Sequence, residues 1–332
     1  MNTVAPAFLT DALPASAAAR LAVFGKHPAA ADHLEDAGLA TTSLVQFKQS
    51  LYVDGLGEIL GRRRWEKELE NQDAVPWSHG MICAGPAGWL AAYFTASSDA
   101  KGRRQYPLVA AGHIGGFRSA GAAGEAGDII RQTLRQAQGA GSVDAIRTAQ
   151  AAGQRQLDEK MSTGSSAAAG ASVRLRLLEG SGCGPESDAL ARVLHSLSPQ
   201  GAGTGRARIR QSCAITAFHA LLWAALVRSV LHLERYPVCM TWQQGDSLGD
   251  LTIGDPGART LQNLFAPETA VPLTACVPYS IEDEQQDAWS EAVQAWIDAP
   301  EFLTPPGAAA SGGSVLKNMF RSVGGFFRSK QK

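Results

Sequence analysis

The sequence predicts an α+β fold, an antiparallel sheet with flanking helices and a second α/β region packed with it. Three observations carry that expectation. Short apolar runs of strand length recur between turn-forming dipeptides, longer segments show apolar residues at helical spacing, and the two kinds of element alternate irregularly along the chain. The 332 residues are 45% hydrophobic and 18% charged, enough apolar side chain to build a core and too little charge for wholesale disorder.

Residues 1–19 are rich in Ala, Pro and Ser and are expected to be a loosely ordered N-terminus. A first α+β domain follows over 20–117. Leu21 to Phe24 reads as a strand ending at Gly25. Ser43 to Gly61 reads as a helix, with Leu44, Phe47, Leu51 and Ile59 near helical spacing and Ser43 able to cap its start. His79 to Cys83 and Gly88 to Ala96 read as strands parted by the turn Gly85-Pro86, and Tyr106 to Ile114 as a third.

Composition then shifts. Gly/Ala/Ser-rich stretches at 115–127 and 161–172 flank a polar helix over about 128–160, so 118–172 reads as a linker or insertion. A second α+β region spans 173–299. It holds an alternating strand at Val173–Leu177, helices at about 186–197 and 213–234, strands at 237–242 and 248–253, and helices at 256–265 and 283–298. Trp223, Trp242, Trp289 and Trp296 are expected in the core, and His219 as a satisfied core histidine. After a flexible linker over 300–313, residues 314–332 form a basic amphipathic helix. Its apolar Leu316, Met319, Phe320, Val323, Phe326 and Phe327 recur at helical spacing among Lys317 and Arg321, so it suits a partner groove or an anionic membrane.

The formal net charge is −1, which does not suggest nucleic acid as a partner. That tail holds five basic residues and no acidic one. Removing them from the 30 basic residues leaves 25 against 31 acidic, a body of net charge −6. The five cysteines, Cys83, Cys183, Cys213, Cys239 and Cys276, are widely spaced and lie mostly in apolar runs, so they read as buried reduced thiols. The N-terminus lacks the features of a signal peptide, and the apolar stretch from Cys213 to Val230 reads as a core helix. A cytoplasmic location is expected, with peripheral attachment at the inner membrane open to the tail.

The sharpest polar cluster is Lys26-His27-Pro28 with Asp32-His33 and Glu35-Asp36. His27, Asp32 and His33 are metal-ligand types, but their spacing matches no metal motif, and neither HExxH nor CxxC occurs elsewhere. A polar loop that recognises a partner, or that satisfies its own backbone hydrogen bonds, fits better. A second charged loop, Asp99, Lys101, Gly102, Arg103 and Arg104, suits an anion or a solvated hairpin tip. There is no phosphate-binding glycine loop and no G-x-S-x-G nucleophile elbow, so neither catalysis nor a cofactor is expected.

The pattern VFGKHP at 23–28, then Asp32, a helix, and GRRQYPLV at 102–109 resembles the TagF/ImpM family, accessory proteins of bacterial type VI secretion. Gly25, Lys26, Pro28, Asp32, Gly102, Arg103, Tyr106, Pro107 and Leu108 stand at the matching positions. The resemblance covers roughly a third of the chain, and His33 stands where the family pattern has an aromatic. It implies a longin- or profilin-like N-terminal layer and a non-enzymatic regulator or adaptor working through protein contacts. The residues then expected to meet a partner are Lys26, His27, Asp32, His33, Glu35, Asp36, Lys101, Arg103 and Arg104. Two alternatives remain at this stage: a metal-dependent hydrolase using His27, Asp32 and His33, and a longin-like regulator of a small GTPase.

Overall fold

Apolar runs long enough to bury both faces of a strand set the centre of the fold. The computed structural model describes residues 8–13, 17–57, 77–102, 106–115, 120–163, 174, 178–179, 188–197, 206–233, 236–254, 256, 264 and 281–298. Strands β1 (Ala19–Lys26), β3 (Ser78–Ala84), β4 (Gly88–Thr95) and β5 (Leu108–Gly115) are almost wholly buried. With β2 (His33–Ala37), β6 (Arg206–Arg210), β7 (Val238–Gln243) and β8 (Leu248–Ile253) they form one antiparallel sheet, ordered β2-β1-β5-β4-β3-β7-β8-β6. The expected antiparallel sheet with flanking helices is therefore what the chain forms. Strands from both halves of the sequence share that sheet, joined where β3 pairs with β7.

Side-chain alternation sorts the strands onto two cores. On one face Leu21, Val23, Ile82, Ala91, Ala110, Met240 and Leu251 belong to a cluster with helices α2 (Ala120–Gln138), α3 (Val143–Thr163), α4 (Asp188–Leu197), α5 (Ala217–Val230) and α6 (Asp283–Asp298). On the other, Phe24, Met81, Phe94 and Val109 pack with α1 (Thr42–Gln49) and the π-helical segment Ser50–Gly57 that continues it. Helix α5 is apolar on all sides and correspondingly buried, with Trp223 inaccessible to solvent. Among the described residues no helix is long and apolar enough to cross a membrane. Trp242, Trp289 and Trp296 lie in the core as expected, whereas His219 sits half-buried in the first turn of α5, on the cap residue Thr216.

Several expectations are corrected. The N-terminus is not loose throughout: Phe8 and Leu9 are buried, and the Leu9 carbonyl accepts from Ala87 N at 2.9 Å. Thr41, not Ser43, caps α1 by accepting from Leu44 N, while Ser43 N donates to Asp11 Oδ2 at 3.2 Å. The region read as an insertion with one polar helix holds two helices, α2 and α3, seated against the sheet. Small residues hide their apolar faces from a pattern count. Ala123, Ala126 and Ala137 are buried, and Gly127 comes so close to α5 that a Cβ there would stand 2.4 Å from Ala217 Cβ. Gln150 and Gln154 of α3 close part of the edge of β1: Gln150 Nε2 donates to Leu21 O (2.7 Å), and Gln154 Oε1 accepts from Leu21 N (2.7 Å).

The expected strand at 173–177 lies mostly outside the described residues. Its one described member, Arg174, is helical and buried, and donates to the Ile297 carbonyl at 3.1 Å at the end of α6. The expected helix at 256–265, apart from residues 256 and 264, and the tail residues Leu316, Lys317, Met319, Phe320, Arg321, Val323, Phe326 and Phe327 also lie outside them. For one cysteine pair the reduced reading is overturned. Cys83 and Cys239 stand opposite each other on β3 and β7 and are bonded as a disulfide, while Cys213 is free and exposed. A separation of 156 residues concealed this register in the sequence.

Candidate functional site

The site gathers at the end of β1, where Gly25 turns the chain and Lys26 closes the strand. Gly25 has φ +121°, and a Cβ there would lie 2.2 Å from the Pro107 carbonyl and 2.6 Å from the Tyr52 hydroxyl. Only glycine fits that approach. The Pro107 carbonyl accepts from Lys26 N (3.3 Å) and from the Tyr52 hydroxyl (2.6 Å). Gly25 and Lys26 of the first motif thus meet Pro107 of the second, far apart in sequence, through backbone contacts.

Lys26 is buried, and its ammonium donates to Asp99 Oδ2 at 2.7 Å and to Asp32 Oδ1. Asp99 is inaccessible while the Asp32 side chain is 62% exposed, so one partner lies inside and the other at the rim. A lone ammonium in such a place would be costly; two carboxylates hold it charged and fixed. Asp99 also shapes its own loop, accepting from Lys101 N at 2.9 Å, and Ala100 N donates to the Ala30 carbonyl at 2.9 Å. The loop read as a solvated hairpin tip is therefore tied down at Asp99, while Lys101 stays exposed. Arg103 and Arg104 lie outside the described residues.

Aromatic rings wall the ammonium. Tyr52 and Tyr106 stack with centroids 5.2 Å apart, the His33 ring meets Tyr106 edge-on at 5.0 Å, and Lys26 Nζ lies 5.9 Å from the Tyr106 centroid. Burial pushes the Tyr52 phenol well above its ordinary pKa and raises that of Tyr106. Burial, and then the Lys26 charge, lower the pKa of His33, so the ring favours its neutral form.

The loop expected at 32–36 is instead mostly strand. β2 pairs antiparallel with β1, with Gly25 opposite Leu34 and Lys26 opposite His33. Leu34 points into the core, while Asp32, His33 and Asp36 are exposed at this edge of the sheet. Asp36 is paired with Lys48 of α1. The backbone of Glu35 lies in β2, and its side chain is outside the described residues.

His27 faces away from this group. Buried, its ring accepts from Ala29 N at Nδ1 (3.0 Å) and meets the Gln138 carbonyl at Nε2 (3.3 Å), which assigns the proton to Nε2. It thereby satisfies a terminal carbonyl of α2. Lys26 and His27, expected to touch a partner, are withdrawn from solvent; they hold the loop in shape. His27, Asp32 and His33 do not converge as ligands either. Both His27 nitrogens are engaged and the Asp32 carboxylate is taken by Lys26, and among the described residues no group of three or more His, Cys, Asp or Glu side chains is placed to hold a metal ion.

Sequence reasoning missed Asp99 as the partner of Lys26 and missed Tyr52 altogether. The signal for Asp99 was its place just ahead of the second motif. For Tyr52, inside an apolar helical stretch, there was none. Comparison with protein-family models, with curated proteins and with solved structures gives no match for this chain.

Proposed function

We propose that the chain is a non-enzymatic regulator or adaptor of a bacterial type VI secretion or related contractile-injection apparatus, acting through protein contacts. One observation carries this reading. The described parts of the two segments on which the resemblance to the TagF/ImpM family rests meet at Gly25, Lys26 and Pro107, and the polar groups at that junction hold one another. Lys26 is held by Asp99 at 2.7 Å and by Asp32, and Tyr52 by the Pro107 carbonyl. A cluster whose central charge and phenol are already held by protein partners suits recognition, because little entropy is lost when a partner lands on it. The exposed groups that would meet that partner are His33 and Lys101 with the outer faces of the paired Asp32 and Asp36, and Glu35, Arg103 and Arg104 stand beside them in sequence.

The helix-flanked antiparallel layer, with α1 on one face and α2 and α3 on the other, supports the longin-like form that the resemblance implies. The protein would work in the cytoplasm, with the basic tail over 314–332 docking on a partner groove or on anionic lipid at the inner membrane. The hydrolase alternative gains nothing from the geometry, since His27 and Asp32 are already committed. Affinity purification of the tagged full chain from cells assembling such an apparatus tests the reading. Enrichment of a sheath, baseplate or membrane-complex component is expected, and recovery of none of these would count against it.

A further inference from the structure

Among the described residues, the only strand pairing that joins the five strands β1–β5 to the three strands β6–β8 is that between β3 and β7. At this seam Cys83 and Cys239 lie directly opposite each other and are bonded. Both are inaccessible to solvent, among Met81, Leu90, Ala92 and Leu264. The next residues along the ladder are Leu90 beside Cys83 and Thr252 beside Cys239, and the Thr252 hydroxyl donates to the Cys239 carbonyl at 3.4 Å.

We propose that the Cys83–Cys239 pair is a redox-responsive clamp that sets how readily the three C-terminal strands part from the five N-terminal ones. A bond between residues 156 apart removes much of the freedom of the open chain, so the oxidised seam resists opening more than the reduced one. Burial among apolar side chains keeps an external thiol from the sulfurs, so reduction waits for the seam to open. In that step a thiolate of a dithiol reductant attacks one protein sulfur, the bond between the two Sγ atoms breaks, and a mixed disulfide forms. The cysteine not attacked leaves as its thiolate, and the second thiol of the reductant then attacks the reductant's own sulfur in the mixed disulfide and releases the cysteine held there. Two electrons and two protons pass to the protein, and the reductant leaves as its cyclic disulfide. Nothing in this clamp draws on the proposed recognition face: its row of the sheet runs from Cys83 through Leu90 and His113 to Arg20 at the start of β1, whereas that face lies at Gly25 and Lys26 at its end.

The test is amide exchange on the full chain, oxidised and after dithiothreitol. Peptide mapping under thiol-blocking conditions should first show a Cys83 peptide linked to a Cys239 peptide. On reduction, exchange in β7 and in its partner β3 should quicken tenfold or more, with the β1–β5 pairing unchanged. C213A should preserve that response, and C83A/C239A should exchange like reduced wild type whether or not dithiothreitol is present. Absence of the linked peptide, or equal exchange in β7 in both states, would overturn the proposal. The wild-type comparison decides it even if the double variant does not fold.

Discussion

The two halves of the sheet use the same ionic chemistry in opposite arrangements. In the N-terminal half one cation, Lys26, lies between two carboxylates, Asp99 and Asp32. In the C-terminal half one carboxylate, Asp250, lies between two guanidiniums, Arg206 at 2.8 Å and Arg208 at 2.7 Å. What differs is solvent. The Lys26–Asp99 pair is 3% and 0% exposed with Asp32 at the rim, whereas the Arg206–Asp250 pair keeps 14% and 9% exposure and Arg208, at 40%, opens to water. A charge that water can reach keeps most of its solvation when its partner is removed; a buried one does not. The Lys26 cluster therefore fixes the shape of its end of the molecule, and the Arg208 pairing decorates a surface.

The largest expected effect separates them. Asp99→Ala leaves the Lys26 ammonium buried with only the rim carboxylate, and should cost about 3–5 kcal/mol of stability in denaturant unfolding. Arg208→Ala leaves Asp250 with Arg206 and should cost about 1 kcal/mol or less. Equal losses would remove the distinction between the halves.

Gly25→Ala comes next. The backbone there is left-handed and the added methyl meets the Pro107 carbonyl, so about 2–4 kcal/mol should be lost by the same measurement. A variant as stable as the wild type would show that the two motif segments do not meet as described.

Acid should act most strongly through His79 in the N-terminal half, beside a weaker contribution from His219 on α5, whose pKa burial also lowers. Burial lowers the His79 pKa on β3 to about 4, and lowers those of His33 and His113. The unfolded chain takes up protons near the ordinary 6.5, while the folded His79 does not until about 4. Stability is thus full above pH 6.5 and falls as the pH drops towards 4, by about 2–3 kcal/mol from His79 alone. His79→Gln should flatten that part of the pH–stability curve; an unchanged slope would assign the acid sensitivity elsewhere.

A smaller effect is expected where α3 closes the edge of β1. Gln154→Ala removes the acceptor of Leu21 N and should cost about 1–2 kcal/mol.

The parts that could be read in the sequence are those with a local signal. β1, β3, β4 and β5 announce themselves as apolar runs between turns, and α5 as a long apolar helix. β2 was hidden because three of its five residues, His33, Glu35 and Asp36, are polar and mark a strand on an open edge. β6, Arg-Ala-Arg-Ile-Arg, alternates cleanly and was legible but overlooked. α2 and α3 bury alanine and glycine, which carry little weight in a hydrophobic pattern. Within the site, Lys26 and Asp32 were legible by proximity. Their joining to Asp99, 73 residues from Lys26, and the bonding of Cys83 to Cys239 depend on strand order, which no local pattern encodes.

In the proposed role, the face at the end of β1, and not the arginine-lined edge at β6, meets a protein of a secretion apparatus. Quantitative affinity purification of folded H33A/D36A and R210A variants, side by side with the wild-type chain, tests it most directly. The account predicts that H33A/D36A loses capture of the apparatus component by tenfold or more while R210A retains it. Undiminished capture by H33A/D36A, or loss with R210A alone, would contradict it.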